Sequence, residues 1–360
     1  MTNNDRYAFA QSSTDQVVND QLAQLLEQAL HQQAPAATLQ RLPYLDDDYL
    51  TAIMAFYQQK VQTMTVTGPL EMPVTARYGV LAAGKIVVID IRSLLGPQLI
   101  PEIARSPLTA TSFGLGELMR KTRTTQTTDF IFINLVNITN DLGVGALEAL
   151  GAKFTDSAGQ QIHGGGKLGR LQQVDVTALA TWQSLHYHFY TNKQVRGPLL
   201  GADGVTYRNI GLTGASPEIA KVLETQLQKF SAQVVAVNFT DCRADAKAEL
   251  ATGLGYCFQT FFGQVTVTDM ATAFVKDTEM SALVQQTPYY FVAAHSLSYR
   301  TLLAQYNKRV IVLADTIKVE PTDNEVVLFD YPNDMSDADQ LARFTMTLNN
   351  ALRLIYFRQV

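Results

Sequence analysis

Both ends of this chain alternate short apolar runs with amphipathic stretches, and its long middle does not. Residues 7–10 form a short apolar run, and residues 16–30 place Val17, Leu22, Leu25, Leu26 and Ala29 near helical spacing. Ala34-Pro35 breaks that helix, residues 38–42 suit a strand, and 49–59 read as a second helix. Near the other end, residues 289–294 and 310–314 are unbroken apolar runs of the kind found in strands buried on both faces. A helical stretch, 297–306, lies between them; 326–329 follows as a strand and 337–357 closes as a helix. Such alternation calls for βαβ units and a parallel sheet. From about residue 66 to 287, glycine and proline become frequent, and short runs at 86–91, 130–134 and 234–238 read as strands between loops. The expectation is an α/β protein of two domains. A Rossmann- or flavodoxin-like parallel-sheet domain is built from residues 1–66 and 289–360, with a second α/β domain, 67–288, inserted. A length of 360 residues agrees, since it exceeds what one hydrophobic core usually organises.

Apolar residues make up 47% and charged residues 17%, which is enough for a packed core and too apolar for a disordered chain. The net charge of −5 argues against a general nucleic-acid binder, which carries a basic excess. It leaves room for a site that takes an anionic metabolite. Cys242 and Cys257 are too few for a disulfide framework and lack metal-ligand spacing. Met1-Thr-Asn-Asn-Asp5 shows neither the basic nor the apolar part of a secretory leader. No run approaches the roughly 18 apolar residues of a membrane span. These features point to a cytoplasmic protein with no nucleic-acid and no membrane partner.

The middle carries a set of ordered motifs. Val66-Thr-Gly-Pro-Leu70 is followed by Pro73-Val, Ala76, Tyr78-Gly79 and Gly84. Then come Arg105-x-Pro-x-Thr-x-Thr-x-Phe-Gly-Leu-Gly-Glu-Leu118 and Thr139-Asn-Asp-x-Gly-x-Gly145, running on to Ala149-Leu-Gly-Ala-x-Phe-x-Asp-x-x-Gly159. Pro198-Leu-Leu-Gly-x-x-Gly204 and Ala251-x-Gly-Leu-Gly255 complete the series. In this order they resemble the bacterial glycerate kinases, and the resemblance extends more weakly over both ends. It implies two domains with a cleft in which ATP, with Mg²⁺, phosphorylates glycerate or a related sugar acid. It leaves a homodimer open.

Phosphoryl transfer is mostly positioning and charge neutralisation, so it needs N–H groups or cations around the phosphates and carboxylates for the metal. Against the family pattern those are the positions this chain has altered. An Ala-Pro-Asp-Ser-Phe-Lys stretch becomes Ala10-Gln-Ser-Ser-Thr-Asp15, and Asp-Gly-Gly-Glu-Gly becomes Asp46-Asp-Asp-Tyr-Leu50. A Gly-Gly-Ser-Ala-Thr-Asn-Asp loop becomes Leu135-Val-Asn-Ile-Thr-Asn-Asp141, and Asp-Val-x-Asn-Pro-Leu becomes Gln194-Val-Arg-Gly-Pro-Leu199. Turn and packing residues such as Gly68-Pro69, Tyr78-Gly79 and Gly151 are kept. The expectation is a retained scaffold with a weakened or abandoned kinase site, or else a non-catalytic binding or regulatory protein on the same scaffold.

Carried over by position, Asp46, Asp90 and Asp141 are the catalytic candidates, Asp46 and Asp141 also as metal ligands. Gly114, Gly116, Thr139 and Asn140 are the candidates around ATP. The polar members of the set are expected to converge on the cleft. Each has a plainer alternative: Asp46–Asp48 as helix caps, Asn140 and Asp141 likewise, and Gly114-x-Gly116 as a tight helix start. Gly164-Gly-Gly166 reads as a turn, and His186 and His188, with no third ligand nearby, as ordinary packing. Lys193, Arg196 and Arg300 are the cations placed to substitute for the missing lysine.

Overall fold

The computed structural model describes residues 6–10, 16–43, 45, 48–191, 197–263, 265–278, 280–294, 296–314, 321, 323–328, 332 and 336–357. The chain divides into two compact units, Met1–Ile53 with Asp269–Val360, and Met54–Thr268. These limits fall short of residue 66 at the first break and of 288 at the second. Strand Gln62–Thr67 pairs into the middle sheet, whereas helices Met270–Asp277 and Ser281–Gln286 belong to the terminal unit.

In the terminal unit five strands run parallel, in the spatial order Glu325–Leu328, Arg309–Leu313, Tyr289–Ala293, Arg6–Ala10, Thr38–Leu42. Counted along the chain this is the flavodoxin-like order. Period-two alternation sends Tyr7 and Phe9 to one face with Tyr289, Phe291, Ile311 and Leu313. Helix Gln16–Gln33 covers that face with Leu22, Leu26 and Leu30, and helix Ala338–Phe357 with Phe344, Leu348 and Leu352. Burying a large apolar side chain stabilises by about 1.5–3 kcal/mol, so this one layer accounts for much of the unit's cohesion. Asp48 caps helix Tyr49–Phe56: its Oδ1 accepts from Thr51 N at 3.2 Å and its Oδ2 from Thr51 Oγ1 at 2.7 Å.

The middle unit holds a six-stranded mixed sheet, in the order Val265–Asp269, His186–Thr191, Asp129–Ile133, Ile86–Asp90, Pro73–Leu81, Gln62–Thr67. Strands Ile86–Asp90, Asp129–Ile133 and His186–Thr191 are parallel; Pro73–Leu81 runs antiparallel to both its neighbours. Its core is aromatic. Phe132 stands 4.9 Å from Phe189 and 5.1 Å from Phe258, and Tyr187 stacks 4.6 Å from Phe262, measured between ring centroids. Phe258 and Phe262 come from helix Leu250–Phe262, which packs on the sheet as the aromatic content of that stretch suggests.

Residues 234–238, read as a strand from their β-branched character, instead end the helix Pro217–Ala236. Tertiary periodicity overrides local preference there. Leu223, Leu227, Phe230 and Val234 line one buried face at helical spacing, Pro217 occupies the first turn, and Ser216 Oγ accepts from Ile219 N at 3.3 Å as the cap.

Candidate functional site

The parallel strands of the middle unit present their C-terminal ends to one edge, where α/β folds bind ligands. Strand Asp129–Ile133 leaves the sheet through Asn134, a non-glycine residue at φ 49°. Val136 N donates to Asn134 O at 2.6 Å, which folds the chain into a tight turn. Leu135 and Val136 then line a cavity of about 420 Å³ together with Thr191, Arg208, Asn209 and Leu212. Glu249, Leu250, Ala251 and Thr252 form its remaining wall. All ten residues lie within the middle unit.

That wall carries a marked backbone irregularity. Ala251, Thr252 and Gly253 are consecutive left-handed residues, at φ 47°, 57° and 97°. Each non-glycine residue held this way costs about 1–3 kcal/mol, and such strain persists only where neighbours impose it. Asn137 imposes it here. Its Nδ2 donates to Ala251 O at 2.8 Å, and its carbonyl accepts from Thr252 Oγ1 at 2.7 Å. Its Oδ1 accepts from Thr139 N at 2.8 Å, so one asparagine joins the strained turn to the Thr139–Asn140–Asp141 loop.

Within that loop Asp141 is a fully engaged buried carboxylate. Oδ2 accepts from Ser112 N at 2.7 Å, Ser112 Oγ at 2.9 Å and Gly145 N at 3.2 Å. Oδ1 accepts from Thr139 Oγ1 and Gly143 N, both at 3.1 Å. With both oxygens surrounded by donors, Asp141 presents no electron pair suited to Mg²⁺. Among the described residues no three His, Cys, Asp or Glu side chains converge on a metal position. Asp46 lies outside the described residues. Asp141, enclosed in this way, does not fit the part of a ligand to the implied Mg²⁺, and no step is derived through the metal.

Asn140 is wholly buried. Its Nδ2 donates to Thr206 Oγ1 at 3.4 Å while its Oδ1 has no hydrogen-bond partner. Thr206 sits in the one-turn helix Val205–Arg208, so the loop braces the element that carries Arg208 to the cavity. Gly114 and Gly116 lie elsewhere, inside helix Phe113–Thr122. A Cβ on the first would collide with Thr67 O and on the second with Ala146 O. Their geometry is that of close backbone packing, and neither lines the cavity. Gly165, in a stretch expected to be only a turn, likewise clears Asn140 O, which a Cβ would approach to 2.6 Å.

Asp90 ends the adjacent strand and is 1% exposed. Its Oδ2 stands 3.4 Å from Arg77 Nη1, and its Oδ1 has no partner of good geometry. Burial pushes its pKa up, against the opposing pull of Asn134, Arg77, Arg92 and Ser93. A carboxyl whose pKa rises on folding contributes stability below its unfolded pKa, near 3.9, and loses it as pH climbs through the folded value. Asp90→Asn, which stays neutral, is therefore expected to gain on the parent as pH rises from 4 to 8. Urea midpoints across that range measure it; parallel curves for the two proteins would show that Asp90 ionisation is not linked to folding.

The other described candidates are not among the residues that line the cavity. His188 Nε2 lies 2.8 Å from Asp129 Oδ1 and its Nδ1 lies 2.6 Å from Thr266 Oγ1, at the opposite end of the same strands. Arg300 forms a two-pronged pair with Glu325 in the terminal unit, at 2.7 Å on both prongs. Lys193 and Arg196 lie outside the described residues. Sequence reasoning missed Asn137, Arg208 and Glu249. The available signal was that Arg208 and Glu249 each stand within a few residues of a recognised glycine motif, Pro198–Gly204 and Ala251–Gly255.

Comparison with known proteins agrees with this architecture. The profile described as the glycerate kinase family matches residues 9–322. Glycerate 2-kinase of Escherichia coli K12 is 29% identical over 246 residues, 68% of this chain and 64% of that protein. Glycerate kinases of Bacillus subtilis and Haemophilus influenzae are 28% and 30% identical, covering 66% and 65% of this chain. The alignments thus span somewhat less than two thirds of those relatives, 64%, 63% and 63% of their lengths. The crystal structure of a putative glycerate kinase 2 from Salmonella typhimurium LT2 superposes with a TM-score of 0.80. It covers 99% of this chain and 100% of that one at 23% identity, which establishes the shared fold. Among the described residues no helix is long and apolar enough to cross a membrane.

Proposed function

The chain belongs to the glycerate kinase family, and on that premise we propose that it transfers the γ-phosphoryl group of ATP to glycerate or a related sugar acid, at a reduced rate. The observation that carries this reading is the cavity of about 420 Å³ at the C-terminal strand edge, walled by the strained turn Ala251–Gly253 and by Arg208. In the reaction the acceptor hydroxyl oxygen bonds to the γ-phosphorus as the bond from that phosphorus to the β–γ bridging oxygen breaks. ADP leaves, and the hydroxyl proton passes to solvent. Little covalent chemistry is asked of the protein, so its part is to hold the acceptor and offset charge.

This chain's own residues divide those tasks. Asn137 fixes the wall, Asp141 and Thr139 fix the loop behind it, and Asn140 fixes the helix bearing Arg208. A second reading, a non-catalytic binding protein, is favoured by one feature. The Val136 N–H, where the family pattern has a glycine of the loop, is already bonded to Asn134 O. Glycerate and ATP with Mg²⁺, added separately and together, are expected to raise the thermal midpoint of the full chain. A coupled ADP-release assay then separates the two readings: glycerate-dependent ADP release at any measurable rate supports transfer. No midpoint shift and no ADP release would remove both.

A further inference from the structure

We infer that Arg208 binds the carboxylate of the hydroxy-acid substrate and that Glu249 is the internal anion this carboxylate displaces. The inference rests on the reading of the cavity as an acceptor site.

Arg208 ends the helix Val205–Arg208, and Glu249 stands just before the strained turn, so the pair bridges two walls of the cavity. Arg208 Nη1 donates to Glu249 Oε2. The side chains are 38% and 14% exposed, and an ion pair in contact with water holds weakly enough to exchange partners. Among the described residues Glu249 is the acceptor that meets the Arg208 side chain, through one nitrogen. The rest of the guanidinium fork remains for a ligand, and a planar carboxylate matches that fork through two parallel bonds.

Position 197 makes room for this arrangement. A Cβ there would collide with Arg208 Nη1 and come within 2.6 Å of Glu249 Oε2. The family pattern places Asn at this point, and Gly197 opens the space that the pair occupies. The remaining lining residues are uncharged: Leu135, Val136, Leu212, Leu250 and Ala251 are apolar, Thr191 and Thr252 bear hydroxyls, and Asn209 bears a carboxamide. Arg208 is therefore the cation lining the cavity among the described residues. An anion entering meets that opposite charge, and Glu249 competes for it.

The competition gives two substitutions opposite signs, which a merely structural salt bridge would not. Calorimetric titration of the full chain with glycerate, without ATP, is the test. Arg208→Gln is expected to weaken glycerate binding at least tenfold, Arg208→Lys less, because charge remains but the fork is lost. Glu249→Gln is expected to tighten it several-fold. Glycerol, which lacks the carboxylate, is expected to bind more weakly than glycerate to the parent and equally to Arg208→Gln. The double variant Arg208→Gln/Glu249→Gln removes both charges without leaving either alone; it keeps the test readable should a single variant fold poorly, and is expected to bind like Arg208→Gln.

Arg208→Gln binding glycerate as the parent does, glycerol matching glycerate on the parent, or a parent that binds no glycerate would each overturn the inference. So would loss of inorganic phosphate binding in Arg208→Gln with glycerate binding intact, which would assign Arg208 to phosphate. A parent that binds glycerate through Arg208 yet releases no ADP leaves the inference standing while the kinase reading falls. Normal glycerate-dependent turnover in Arg208→Gln does the reverse.

Discussion

Asp141→Ala is expected to lower the stability of this protein by about 3–5 kcal/mol, a loss in the range seen when a buried network loses its central partner. The carboxylate gathers three backbone N–H groups, of Ser112, Gly143 and Gly145, and two hydroxyls, of Ser112 and Thr139. A buried donor left without an acceptor costs about 1–3 kcal/mol, and water admitted to the vacated space recovers part of it. The damage would spread along the chain. Ser112 directly precedes helix Phe113–Thr122 and its Oγ accepts from Ala146 N, Gly145 lies in helix Val144–Ala149, and those helices pack closely enough that Gly116 clears the Ala146 carbonyl only for want of a Cβ. Asp141→Asn keeps the volume but turns an NH₂ toward N–H donors, so an intermediate loss is expected. Urea unfolding of the full chain measures both. A loss that appears only when Mg²⁺ is present would return Asp141 to the role of metal ligand; unchanged midpoints would show that the network contributes nothing.

How much of this was legible in the sequence depends on whether the deciding neighbour was local. The terminal sheet was legible because strands buried on both faces must be continuously apolar, as residues 289–293 and 309–313 nearly are. The end of helix Pro217–Ala236 was not, because Val234, Val235 and Val237 favour a strand when read alone. Only the partners of Leu223 and Phe230 reveal the helical face. The motif Thr139-Asn-Asp141 announced a functional loop, but the sequence could not say which of its side chains reach solvent. Asp141 proves enclosed by donors from residues 112 to 145. Gly114-x-Gly116 was ambiguous for the same reason: glycine permits approach by a phosphate or by another backbone, and here the approaching atoms are carbonyls of Thr67 and Ala146. Arg208 and Glu249 are 41 residues apart, and their meeting depends on a third, glycine position. No spacing rule connects such a trio.

Turnover with glycerate is expected to fall well below the range of about 1–100 s⁻¹ typical of kinases. A phosphate cradle works by aiming backbone N–H groups at oxygens, and glycine suits it by leaving space and tolerating any φ. At this position the chain has Leu135 and Val136, which line the cavity. The Val136 N–H already donates to Asn134 O at 2.6 Å, so the donor is consumed as well as crowded. Losing one donor aimed at developing charge commonly costs about 10²–10³ in rate. Arg208 offsets part of that, but a cation engaged with the acceptor carboxylate cannot also follow charge at the transferring phosphorus. Restoring the family pattern by Leu135→Gly with Val136→Gly is therefore expected to raise kcat about tenfold or more. KM for glycerate should change little, because the acceptor contact through Arg208 is untouched. The double glycine variant should also be less stable, since glycine loses more backbone entropy on folding. An ADP-release assay with saturating glycerate, ATP and Mg²⁺ decides the matter. Parent turnover within the ordinary kinase range, or a glycine variant slower than the parent, would mean that phosphate is held somewhere other than this loop, and Lys193 and Arg196 would be the first residues to substitute.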